Sequence, residues 1–188
     1  IPNGIKENSD VPKSSLIDLP DDVFKILTIG RLSPEKNQQV LIDAVKELTD
    51  VKFIIVGEGE LEQDFKSQNI DNLLLLGAVN STQIPEILKS VDLFVLPSLY
   101  EGMSNALLEA ITYELPILVS DISANAEVFE GTDLSNLIGT EDVSKWKQMI
   151  EDLNSNRESL DKLKKVSESL KTRYSFERMI LDYKKMLD

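Results

Sequence analysis

Two glutamates, Glu101 and Glu109, are separated by seven residues in the stretch Pro97-Ser98-Leu99-Tyr100-Glu101-Gly102-Met103-Ser104-Asn105, which leads into Ala106–Tyr113. Paired carboxylates are the equipment of glycoside hydrolysis, one acting as acid and the other as nucleophile or base. The spacing argues against that chemistry. Eight residues of helix span about 12 Å, whereas hydrolases hold their two carboxyl groups ~5 Å or ~6.5–9.5 Å apart. Two separate roles fit better than one dyad. Around Glu109, the residues Ala106, Leu107, Leu108, Ala110, Ile111 and Tyr113 leave only Glu109 and Thr112 as polar exceptions. A helix apolar nearly all round is buried, and a carboxylate inside it needs a partner or a ligand. A functional role for Glu109 is therefore favoured over ordinary surface exposure.

A second group lies earlier, in Gly30-Arg31-Leu32-Ser33-Pro34-Glu35-Lys36-Asn37. Arg31 and Lys36 sit on a loop entering a helix, and a helix start offers free N–H groups and roughly half a positive charge to phosphate. Solvated loop charges are an equally weighted reading of the same residues. Gly57-Glu58-Gly59-Glu60-Leu61 brings backbone near a ligand or closes a tight turn, with turn closure favoured. It is not the dinucleotide fingerprint, because Glu62 stands at the third glycine position. Gly77-Ala78-Val79 is a similar strand end and weak by itself.

The 188 residues contain neither Cys nor His. That excludes disulfides, thiolate nucleophiles, Ser-His-Asp triads and the usual zinc sites, and it fits a reducing, cytoplasmic setting. A net charge of −13 argues against nucleic acid as a partner, since phosphate contacts need a basic face. No Lys or Arg occurs between Lys89 and Lys145, so an anion bound by that stretch relies on backbone or on cations from elsewhere. No run approaches the ~20 apolar residues of a membrane span, and no signal peptide is recognisable. Ile1-Pro2-Asn3-Gly4 is turn chemistry, and the chain reads as a piece of something longer.

The elements that must position these residues alternate along the chain. Apolar runs at Ile26–Ile29, Phe53–Val56, Leu73–Leu76, Leu93–Leu96 and Ile117–Val119 have strand length. Most lack one-sided alternation, so they read as strands covered on both faces. A weaker run, Leu134–Ile138, reads as an edge strand. Between the runs lie helical patterns; in Gln38–Leu48 the residues Val40, Leu41, Ala44, Val45 and Leu48 share a face. Such alternation predicts an α/β fold, a doubly wound, Rossmann-like parallel sheet of about six strands, with ligands beyond the strands' carboxyl ends. Residues 1–23, with three prolines, read as a linker, 24–173 as the domain, and 174–188 as a terminal helix.

Together these loops resemble the C-terminal domain of the retaining GT-B glycosyltransferases called family 4, or glycosyl transferases group 1. The resemblance rests on Ile1–Gly4 as the entry segment, Gly30–Asn37 as the basic loop, Val56-Gly57-Glu58-Gly59, and above all Pro97–Ala110 with its two glutamates. Tyr174–Leu187 resembles the helix that crosses back onto the first domain. The resemblance implies a fold, the C-terminal half of GT-B, and a role for each matching residue. Glu109 would bind the ribose hydroxyls, and Arg31 and Lys36 would neutralise the leaving diphosphate. Glu101, with the backbone of Gly102, Met103 and Ser104, would face the donor sugar. The N–H groups of Ala106 and Leu107 would cap the phosphates. Gly57 would lie at the donor and Gly77–Val79 beside the base. The donor would be a UDP- or GDP-sugar, bound without metal or other cofactor, and the sugar or lipid-linked acceptor would be held by a missing N-terminal domain, which would also carry any peripheral membrane contact. Tyr113-Glu114 stands where the family often has Cys-Gly or another small pair, and implies tighter packing there.

Two other readings remain at this level. The domain could bind nucleotide without catalysis, as a regulatory module, or serve an epimerase or phosphorylase on a related scaffold. Glu101, Glu109, Arg31 and Lys36 being present weighs against the first. The stretch without cations from 90 to 144 weighs against a phosphorylase, which needs to hold inorganic phosphate.

Overall fold

The computed structural model of the chain describes residues 4–5, 11–133 and 136–187. One parallel sheet contains β1 (Phe24–Ile29), β2 (Val51–Val56), β3 (Leu73–Gly77), β4 (Leu93–Leu96), β5 (Ile117–Ser120) and β6 (Leu137–Ile138). Their spatial order is β3-β2-β1-β4-β5-β6. Phe24 pairs with Val51, Ile26 with Leu93, Phe94 with Ile117 and Val119 with Leu137. The chain moves outward from β1 to β3, returns to β4, and then moves outward on the other side. The helices that follow β1 and β4 therefore pack on opposite faces of the sheet, and the switch point between them, at the strands' carboxyl ends, is where such sheets bind ligands.

Eight α-helices among the described residues connect and cover the strands: α1 (Gln38–Val45), α2 (Glu62–Ser67), α3 (Ile84–Leu88), α4 (Asn105–Thr112), α5 (Ser123–Val128), α6 (Val143–Ser155), α7 (Arg157–Lys171) and α8 (Phe176–Leu187). Strand side chains alternate between two cores. Leu27, Ile54, Phe94 and Val119 face a cluster with α3, α4 and the end of α7. Ile26, Phe53, Val95 and Leu118 face a second cluster with α1 and α6. A sheet buried on both faces produces the continuous apolar runs seen in the sequence. Each large side chain withdrawn from water contributes about 1.5–3 kcal/mol, so even the short β4 and β5 are held firmly.

Helix α1 ends at Val45, short of the expected Leu48, because the chain must turn there to enter β2. Leu48 N–H donates to the Val45 carbonyl at 2.8 Å, and Phe24 N–H to that of Asp50 at 2.9 Å. Leu134, expected in the edge strand, lies outside the described residues; Leu137 and Ile138 form it. Residues 11–23 carry no helix or strand, as a linker would, yet they are anchored. Ser14 N–H donates to Ser90 Oγ at 2.7 Å, and Ile17 joins the core. The start and end of the chain also meet. Ile5 N–H donates to the Tyr174 carbonyl at 3.2 Å, and a Cβ on Gly4 would fall 2.6 Å from the Ser175 oxygen. Ile1–Asn3, expected as part of the entry segment, are not among the described residues.

Candidate functional site

The loops after β1 and β4 meet at the crevice through an ion pair. Lys36 Nζ lies 2.7 Å from Glu101 Oε1, with side chains 25 % and 8 % exposed. At that burial neither charge is well served by water, so each depends on the other or on a ligand that takes its place. Ser98 Oγ donates to the same Glu101 oxygen at 2.7 Å, and Leu99 N–H donates to the Glu35 carbonyl at 2.8 Å. Arg31, by contrast, is exposed, and its guanidinium makes no hydrogen bond or ion pair among the described residues.

Helix α4 begins at the same crevice. Ser104 is its N-cap, its Oγ accepting from Leu107 N–H at 3.3 Å, which satisfies one of the open donors of a first turn. Leu107 N–H is thus engaged within the free chain, whereas Ala106 N–H lies in the first turn ahead of the internal ladder. Leu107, Leu108, Ala110 and Ile111 are buried as expected, and the polar Thr112 is satisfied by donating to the Leu108 carbonyl at 2.8 Å. Glu109 is half-buried, and its carboxylate finds no hydrogen-bond or ion-pair partner among the described residues. Burial, with nothing opposing it, pushes its pKa above the ordinary carboxylate value.

Four glycines in the loops at the strand ends do not all have the same reason to be glycine. Gly57 adopts φ +138°, and a Cβ there would fall 2.0 Å from the Gly30 carbonyl oxygen; at Gly59 it would fall 2.2 Å from that of Leu32. These residues let the β2 loop pack on the β1 loop, where Leu32 N–H donates to the Glu58 carbonyl at 3.0 Å. This is the turn-closure reading, and it accounts for Gly57 within the chain. Gly102 differs: a Cβ would meet nothing within 4 Å. No contact among the described residues requires glycine there, which leaves room for a ligand to approach the backbone. Met103 beside it is 37 % exposed. Gly77 turns with φ +69°, and the following Ala78 N–H points to Glu58 Oε1 at 3.4 Å. Val79 packs against the core.

Sequence reasoning missed the residues that hold the site together. Asn37, left-handed at φ 51°, donates from Nδ2 to the carbonyls of Pro97 at 3.2 Å and Thr140 at 2.8 Å. It thereby ties the β1 loop to the loops after β4 and β6. Beneath the ion pair, Asn125 Nδ2 donates to Ser120 Oγ at 3.1 Å, and Ser120 Oγ donates to the Ser98 carbonyl. Ser98, Ser120 and Asn125 are all buried. Small polar residues at the carboxyl ends of otherwise apolar strands were the available signal. Two cavities, of about 430 and 410 Å³, lie by Leu48–Lys52 and by Phe65–Leu75. They hold none of the candidate residues.

The arrangement defines a doubly wound α/β domain with two cations, two carboxylates and an open glycine at its switch point. Residues 14–169 match the family described as glycosyl transferases group 1, and the chain belongs to that family. It is 40 % identical over 144 residues to the Escherichia coli UDP-Gal:α-D-GlcNAc-diphosphoundecaprenol α-1,3-galactosyltransferase, a match covering 66 % of this chain and 37 % of the relative. The chain thus spans well under half the length of the curated relatives it matches. HepE of Anabaena, solved in complex with UDP and glucose, superposes with a TM-score of 0.78 at 20 % identity, over 88 % of this chain and 48 % of that one. The catalytic domain of the Helicobacter pylori cholesterol-α-glucosyltransferase gives 0.65 at 28 % identity, over 78 % and 96 %. The sheet and its flanking helices are those of the C-terminal domain of GT-B glycosyltransferases.

Proposed function

We propose that this chain is the donor domain of a retaining glycosyltransferase, holding a nucleotide diphosphate sugar for transfer to an acceptor bound by a second, N-terminal domain. The single observation that carries the reading is Glu109: a half-buried carboxylate without a partner among the described residues, on the helix that starts at the switch-point crevice. A carboxylate accepts only, so its natural partners are paired hydroxyls, such as those of a ribose. Arg31 and Lys36 bring positive charge to a diphosphate, which carries about two negative charges, while the α4 start supplies roughly half of one. As the bond between the sugar carbon and the β-phosphate oxygen breaks, charge grows on that oxygen. Cations fixed in place stabilise it without reorganising. Glu101 and the open backbone at Gly102 face the sugar, where a carboxylate suits the developing positive charge.

The proposed donor is a uridine diphosphate sugar, bound without a metal ion. Its support is that the related Escherichia coli enzyme uses UDP-galactose and that HepE, of similar fold, was solved with UDP and glucose. Calorimetric titration of the chain with UDP, GDP and ADP in EDTA tests this. Micromolar to millimolar binding of UDP, with GDP and ADP at least tenfold weaker, is expected. Preference for GDP or ADP, or a requirement for divalent metal, would overturn that part of the reading. Transfer to an acceptor by this chain alone would contradict the division of labour between the domains. Retention is read from the anomeric configuration of the product made by the two-domain protein.

A further inference from the structure

Beside the ion pair, a cavity of about 300 Å³ opens between the β4–α4 loop and α5, lined by Glu101, Gly102, Met103, Ser123, Glu127 and Tyr174 among others. Its volume is at the small end of the range for ligand pockets, enough for a group the size of one hexose. It adjoins Gly102, where the backbone is open, and it shares Glu101 with the basic β1 loop, whose Lys36 pairs with that carboxylate. Its polar character is one-sided. The Glu127 carboxylate is exposed and makes no hydrogen bond or ion pair among the described residues. Glu101 is the second carboxylate, and Ser123 adds a hydroxyl. Residues 90–144 contain no Lys or Arg. Arg173, the cation nearest α5, is turned to the carbonyls of Val128 and Glu130 and does not line the cavity. Lys36 is the remaining candidate, and it is already held by Glu101.

We infer that this cavity seats the donor's sugar, and that Glu127 with Glu101 makes it selective for sugars without an anionic group, excluding those that carry a carboxylate. The inference rests on the donor-domain reading. A bound diphosphate draws on Arg31 and Lys36, and a Lys36 that turns to phosphate leaves Glu101 as an acceptor in need of donors. Sugar hydroxyls supply them to Glu101 and Glu127 alike, while Met103 and Val128 offer apolar surface to the ring's C–H face. A uronic acid replaces one such hydroxyl-bearing carbon with a third negative charge. No cation in the cavity wall compensates it, and like-charge juxtaposition disfavours a wrong ligand.

The test is a set of titrations of this chain with UDP, UDP-glucose, UDP-galactose and UDP-glucuronate, on the parent, Glu127→Gln and Glu127→Lys. Glu127 is exposed, so the substitutions leave both cores intact, and a melting curve of each variant checks this. In the parent, a neutral UDP-hexose binds at least about tenfold more tightly than UDP-glucuronate. Glu127→Gln narrows that ratio, and Glu127→Lys brings it to within about threefold or inverts it. Near-equal affinities in the parent, or a ratio that Glu127→Lys leaves unmoved, overturns the assignment of the cavity while UDP binding leaves the donor site standing. If the parent does not bind UDP at all, the donor reading falls, and this inference with it.

Discussion

An ionised carboxylate half withdrawn from water is stabilised by whatever donors reach it, and among the described residues none reaches Glu109. Its raised pKa fixes the sign of two effects. The folded state favours the protonated form, so Glu109 lends stability below the unfolded carboxylate value and loses it as pH rises through the folded one. At neutral pH the ionised group therefore costs stability, and Glu109→Gln should melt roughly 2 °C higher than the parent at pH 7 with no difference at pH 4. Nucleotide binding runs the other way, because ribose hydroxyls need the ionised acceptor. Affinity for UDP should fall as pH is lowered from 7, beginning above the range where an ordinary glutamate titrates. An affinity flat from pH 7 to 4.5 would contradict the role. Gly102 offers a second test at this scale. With nothing within 4 Å of its would-be Cβ, Gly102→Ala should change stability by less than about 0.5 kcal/mol. It should nonetheless weaken a UDP-sugar more than UDP, since the added methyl enters the space assigned to the sugar.

At the scale of elements, the strands were legible because a sheet buried on both faces writes its strands as unbroken apolar runs. The helix carrying Glu109 was legible for a related reason: its apolar residues surround the helix instead of lining one side. What remained hidden was long-range or conformational. Lys36 and Glu101 stand 65 residues apart, and no local pattern announces that they touch. The clamp by Asn37 was equally invisible, although Asn is the residue that tolerates its left-handed backbone best after Gly. Glu114 is a comparable case. It takes φ 58° at the position where the chain departs from the family's small pair, while pairing with Lys171 at 2.8 Å. The cost of a left-handed non-glycine residue, about 1–2 kcal/mol, is offset in part by that bridge. The loops over the crevice should be unforgiving: Gly59→Ala, whose methyl would meet the Leu32 carbonyl at 2.2 Å, should cost about 2–3 kcal/mol, read from denaturant unfolding. A neutral result would mean that the β1 and β2 loops are not packed as described.

The whole molecule is an acidic scaffold, with Arg31 and Lys36 the cations on the loop after β1. A net charge of −13 over 188 residues strains the compact state through self-repulsion, which salt screens. The melting temperature should rise by roughly 2–4 °C between 20 and 500 mM NaCl, whereas UDP binding should weaken over the same range because Arg31 and Lys36 attract it electrostatically. A melting temperature that falls with salt would show that attractive pairs such as Lys147 with Glu47 outweigh the repulsion. Among the described residues no helix is long and apolar enough to cross a membrane. Exposed apolar residues gather instead on α8, at Leu181, Tyr183 and Met186, the helix expected to cross onto the other domain.

The proposed donor site turns on Glu109 holding a nucleotide, and the most direct measurement is the affinity of the parent chain and of Glu109→Ala for UDP at pH 7.5 in EDTA. Removing an acceptor of two hydroxyls should weaken binding by about tenfold to a hundredfold, the span of one or two charge-assisted hydrogen bonds, while the variant stays folded. Equal affinities for the parent and Glu109→Ala would contradict the central claim and return Glu109 to the status of a strained surface carboxylate.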